Sequence, residues 1–147
     1  MSVSVSVFLK AARLPTLIEW QAAIRAERFD VELDTDFDPR TFSGFLPAKC
    51  RGLPAGFEYY LDQLTGTSDL GSEGRAAAAS GQDLCVTLVA HSNMAEVLSA
   101  ALAAGTLAKL TNGALFDDES DTAHPASTAT QWARDAEAEG VPYLGAG

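Results

Sequence analysis

Between Asn93 and Asn112 the chain reads MAEVLSAALAAGTLAKLT, a stretch in which most side chains are Ala, Leu or Val. A surface helix hides one apolar stripe, whereas a helix that is apolar on nearly every side has to be covered on several sides. The segment therefore demands a fold with enough other elements to wrap it. Its ends are legible: Asn93 and Glu96 form a cap-like pair, Asn112-Gly113 is a stop, and Glu96 and Lys109 suit the two poles of the helix dipole. Glu96, Ser99, Gly105, Thr106 and Lys109 interrupt the apolar run, so a core helix is expected and not a bilayer span.

Strand and helix patterns alternate around it. Val3, Val5 and Val7 at period two, followed by Phe8 and Leu9, predict a strand with Ser on its other face. Thr16 and Glu19 have capping-box spacing, and Leu17, Trp20 and Ile24 mark one side of a helix reaching about Arg28. Val31 to Phe37 predicts a half-exposed strand whose wet face is acidic, with Asp34, Asp36 and then Asp38 in step. Phe45 to Cys50 and Ala55 to Leu61 predict a hairpin turning at Arg51-Gly52, with Phe57, Tyr59 and Leu61 inward and Glu58, Tyr60 and Asp62 outward. Pro47 and Pro54 lack a backbone donor and are expected at an edge, a bulge or a strand start. Residues 65–82, rich in Gly, Ser and Ala, predict a flexible loop. Leu84 to Ala90 is apolar on both faces and predicts a central strand. After the long helix, Ala114 onwards predicts a short strand running into an acid cluster. His124-Pro125 is expected to open a last helix that buries Ala129, Trp132, Ala133 and Ala136 and stops at Gly140. The expected fold is α+β: a single mixed, mainly antiparallel sheet with three helices packed on it, in the order β-α-β-β-β-β-α-β-α.

Length and charge narrow the function classes. A chain of 147 residues fits one domain, 1–147, able to bury about 68–70% of its unfolded surface without metal or disulfide staples. A formal charge of −10 repels phosphate backbones and anionic headgroups and favours basic partners, so neither nucleic acid nor a membrane is the expected ligand. The start, MSVSVSVFLKAARLP, shows no basic segment followed by an apolar run and a cleavage site, which leads to the expectation of a cytoplasmic protein. Cys50 and Cys85 fall in no metal-ligand or redox spacing and fit reduced thiols, although a single bridge stays open.

Four groupings invite a chemical reading. His91-Ser92-Asn93 sits where a strand meets a helix start; Ser92 or Asn93 serves as a cap, and a nucleophilic Ser92 or Cys85 would need an activating base. Asp117, Asp118, Glu119 and Asp121, with His124 nearby, supply hard oxygen ligands but lack the spacing of a calcium loop, so no metal is expected. Asp34, Asp36, Glu58 and Asp62 would form one acidic patch if their strands are neighbours. Tyr60, between Glu58 and Asp62, has the character of an interface anchor. Phosphate-binding glycine motifs are absent, and no cofactor is expected.

FSGFLPAKCRGLPAGFEYY and VTLVAHSNMAEVLSAALAAGTLAKLTNGALFDDES resemble small bacterial cytosolic proteins, among them immunity proteins of polymorphic toxin systems, over about half of the chain. The resemblance implies an acidic α+β protein that neutralises a partner by covering its active surface; it carries no catalytic residue. The leading expectation is a protein-binding module that meets a basic protein with Asp34, Asp36, Glu58, Tyr60 and Asp62. The alternative is a small-molecule-binding protein or enzyme with a cleft near His91, Ser92, Asp117 and Asp118. Homodimerisation through the alanine-rich helix is compatible with either.

Overall fold

The valines at period two in the first strand decide which face of the sheet is dry. In the computed structural model, which describes residues 2–64, 81–91 and 93–144, that strand is β1 (Val3–Leu9). It joins β2 (Val31–Leu33), β3 (Gly44–Cys50), β4 (Leu53–Gln63), β5 (Leu84–Ala90), β6 (Ala114–Asp117) and β7 (Thr122–Pro125) in one sheet of order β2-β3-β4-β5-β1-β6-β7. Every neighbouring pair is antiparallel. Among the described residues three α-helices, α1 (Leu17–Ala26), α2 (Met94–Thr111) and α3 (Ala126–Gly140), complete the α+β fold.

Val5, Val7 and Leu9 of β1 pack into one core with Phe57 and Tyr59 of β4, Val86 and Leu88 of β5, and apolar side chains of all three helices. The helices therefore cover one face of the sheet. Phe8, Cys85, Phe116 and Leu64 form a small separate cluster on the other face. By length and composition α2 would pass for a membrane span, with a mean hydropathy of 1.2, yet 72% of it is buried inside the protein. Its alanines are covered by the sheet, α1 and α3, so the surface expected to support homodimerisation is already occupied within one chain.

Local signals explain the helix ends. Glu19 N–H donates to Thr16 Oγ1 (3.1 Å) and Thr16 N–H donates back to Glu19 Oε1 (2.9 Å), closing the capping box of α1. Asn93 Oδ1 accepts from Ala95 N–H (2.8 Å) at the start of α2, and Asn112, at φ 52°, ends it in the left-handed region. At Gly105 a Cβ would stand 2.8 Å from the Ala133 Cβ, so the bare glycine lets α3 lie directly against α2.

Two expectations change, and that for the prolines holds. β2 stops at Leu33 because Asp34 Oδ1 accepts from Asp36 N–H (3.1 Å) and Asp38 Oδ1 from Arg40 N–H (2.9 Å); these carboxylates close local turns and do not extend the strand. Pro47 and Pro54 lie in interior strands but at edge-like positions, as expected, since β2 pairs with β3 only at Ala48 to Cys50 and β5 pairs with β4 only at Glu58 to Gln63. Pro54 is the second residue of β4, while Pro47 precedes the point where β2 begins to pair with β3 and faces Gly56, whose N–H points to Ser99 Oγ on α2 (3.4 Å). Thr122–Pro125, expected to lead straight into the last helix, instead forms edge strand β7 against β6, so the order of strands and α-helices among the described residues is β-α-β-β-β-β-α-β-β-α. The loop expected at about 65–82 lies, but for Gly81 and Gln82, outside the described residues.

Candidate functional site

Two regions gather polar chemistry, and the alternation of β4 builds the first. With Phe57 and Tyr59 buried against the helices, Glu58, Tyr60 and Asp62 must point to the opposite face, where no described helix lies. Tyr60 Oη donates to Glu58 Oε1, and His91 Nε2, just beyond β5, pairs with Glu58 Oε2. The Tyr60 hydroxyl, followed by His91, holds the Glu58 carboxyl below its ordinary range, and the same bond to Glu58 raises the Tyr60 phenol. Phe45 stands opposite Glu58 on β3, and its ring lies over Gly56, where a Cβ would come within 2.6 Å of Cζ. Phe45 is 47% exposed and Tyr60 36%, so two aromatic rings flank one carboxylate on an open face.

Asp62 shares this face, in register with Cys85. Asp34 and Asp36 do not join it. They lie beyond β2, and β3 separates β2 from β4, so the two acids of the turn and the acids of β4 are not on neighbouring strands. Lys49, opposite Glu32, brings a positive charge to the same face.

The second region lies at the other side of β1. A cleft of about 270 Å³ opens between β1, β6, α2 and α3, with Val3, Val97 and Ala101 along its walls beside the ring of Trp132. Asp117, Glu119, Asp135 and Glu139 line it too. Trp132 Nε1 (3.2 Å) and Ser120 Oγ (2.8 Å) donate to Asp117 Oδ2, and Glu119 N–H donates to Oδ1 (3.0 Å), which fixes both the carboxylate and the indole. Glu119 was among the acids the sequence offered as oxygen ligands, whereas Phe45, Trp132, Asp135 and Glu139 were not singled out as site residues in the sequence. A signal existed for the last three on α3: Trp132, Asp135 and Glu139 follow at spacings of three and four, which put them in a row on one helix face.

His91, Asp117 and Asp118 reach the same end of the sheet but not one site. His91 turns to Glu58, Asp118 Oδ2 accepts from Ser4 Oγ (2.6 Å), and Asp117 faces the cleft. Ser92 lies outside the described residues. Burial raises the Cys85 thiol and pushes Cys50 up to about 11, the opposite of what an activated nucleophile needs. Among the described residues no group of His, Cys, Asp and Glu is placed to hold a metal ion.

Comparison with protein-family models, with curated proteins and with solved structures returned no match for this chain.

Proposed function

We propose that this chain is a protein-binding module, immunity-like in its mode of action, that docks a basic partner on the open face of its sheet. The observation that carries the reading is the pair of exposed rings, Phe45 and Tyr60, flanking Glu58 on a face that no described helix covers. Aromatic side chains of this kind anchor interfaces because they bury large area at small entropic cost. The net charge of −10 adds long-range attraction for a basic protein. Asp62 belongs to the same contact surface, and Asp34 and Asp36 contribute only to the general field. The test is capture of a basic protein by the full chain, followed by measured affinities. Tyr60→Ala should weaken binding about 10- to 30-fold, and raising salt should slow association. A partner indifferent to both changes, or no partner at all, would sink the proposal.

A second reading, small-molecule binding, has one observation in its favour: the acid-lined cleft that contains Asp117 and Trp132.

A further inference from the structure

We propose that the cleft between β1, β6, α2 and α3 binds a small organic monocation with an apolar body, of the arylalkylammonium type. This deepens the small-molecule reading and is independent of docking on the open face, which shares no residue with the cleft. Its walls are aliphatic and aromatic, while four carboxylates, Asp117, Glu119, Asp135 and Glu139, stand around them. Among the described residues no Lys, Arg or His forms an ion pair with any of the four. Like charges gathered at a concave site with low-dielectric walls focus their potential into it, which attracts cations and excludes anions.

The carboxylates divide into two kinds. Asp117 is held by Trp132, Ser120 and the Glu119 amide, and Asp135 Oδ1 accepts from Gln131 Nε2 (2.9 Å), so these two shape the cleft. The carboxylates of Glu119 and Glu139 accept no hydrogen bond from the described residues and are placed to meet a ligand. The Trp132 indole, anchored through its N–H, offers its ring to a cation.

Size and spacing select the ligand class. A volume of about 270 Å³ falls just under the usual range of small-molecule sites, roughly 300–1,000 Å³. It suits one ring or short alkyl body with a charged head. A metal ion is not favoured, since the acids are not grouped closely enough to ligate one. A neutral ligand would gain nothing from the field of the carboxylates, and an anion would be repelled.

Phenethylammonium titrated into the full chain at low salt, followed by tryptophan fluorescence and calorimetry, tests this directly. Trp20 is fully buried in the core, so a signal change reports Trp132. Saturable binding is expected, with phenethyl alcohol, the neutral isostere, bound at least about tenfold more weakly. The double variant Glu119→Gln/Glu139→Gln should lose about tenfold in affinity for the ammonium while keeping the far-UV circular dichroism of the parent. Equal affinity for the alcohol, an unchanged affinity in that well-folded variant, or no saturable binding would each overturn the assignment.

Discussion

Gly105→Ala isolates the contact that seats α3 and thereby forms the cleft. Alanine in a helix interior is favoured over glycine by about 1 kcal/mol, so propensity alone predicts a stabilised protein. The structure opposes this. The new Cβ would stand 2.8 Å from the Ala133 Cβ and 2.9 Å from the Ala129 carbonyl oxygen, and neither a methyl carbon nor backbone can swing aside. Carbon atoms rest comfortably at about 3.5–4.0 Å, so α3 has to retreat by on the order of 1 Å. Overpacking costs about 1–3 kcal/mol, and two contacts under 3.0 Å, one of them to backbone, put this case in the upper part of that range, at about 2–3 kcal/mol; retreat also strains the bond from Trp132 Nε1 to Asp117. The clash outweighs the propensity, and a net loss of ~1–2 kcal/mol is expected, or about 3–6 °C in Tm for a chain of this length. Urea and thermal unfolding followed by circular dichroism measure it. Adding Ala133→Gly should recover part of the loss, with a coupling above about 0.5 kcal/mol in the double-mutant cycle. A Gly105→Ala protein as stable as the parent, or the absence of that coupling, would refute the idea that close approach at Gly105 sets the position of α3.

Other consequences follow from individual contacts. The bond from Tyr60 to Glu58 lowers the carboxyl below its ordinary 4.5, so its contribution is present above that value and lost as pH falls through the lowered one. The same bond raises the phenol above 10.0, so the Tyr60 contribution is present below that value and lost as pH rises through the raised one. The stability difference between the parent and Tyr60→Phe should therefore be largest between about pH 5 and 10 and shrink at both ends in urea titrations. Glu27 pairs with Lys109 and, at 2.7 Å, with Arg134, tying the three helices together; Lys109 and then Arg134 hold its carboxyl low. Both cations are largely exposed, so Glu27→Gln should cost only about 1 kcal/mol, and less in high salt. Arg51 opens the β3–β4 turn at φ 52°, where Asn is easier to accommodate. Arg51→Asn should raise stability by roughly 0.5 kcal/mol, because the pair with Glu137 that it removes is long, at 3.8 Å, and open to solvent on the Arg51 side, and so contributes little.

Much of the local structure was legible because its causes are local. Alternation set the faces of β1 and β4, Thr16 and Glu19 fixed the start of α1, Arg51-Gly52 marked the hairpin, and Asn93 and Asn112 bounded α2. β7 was not legible. An edge strand paired on one side and exposed along most of its length has no reason to alternate apolar and polar residues. The acids at period two after β2 misled for a related reason: spacing cannot reveal whether a carboxylate faces solvent along a strand or bends back to its own backbone, as Asp34 and Asp38 do.

On its own, the amino-acid pattern determined that an apolar helix needed wrapping, that Tyr60 and Glu58 would share the outer face of a strand, and that the surface would be acidic, since each depends on neighbours a few residues apart. Only the tertiary structure decided that β3 separates Asp34 and Asp36 from Glu58, and that β1, inserted between β5 and β6, meets α2 and α3 around a cleft. The cleft draws on residues 3–5, 97–101, 117–119 and 132–139, brought together by sheet order and by the close packing at Gly105. Contacts across such distances along the chain arise from the global balance of burial, and no short window of sequence carries them.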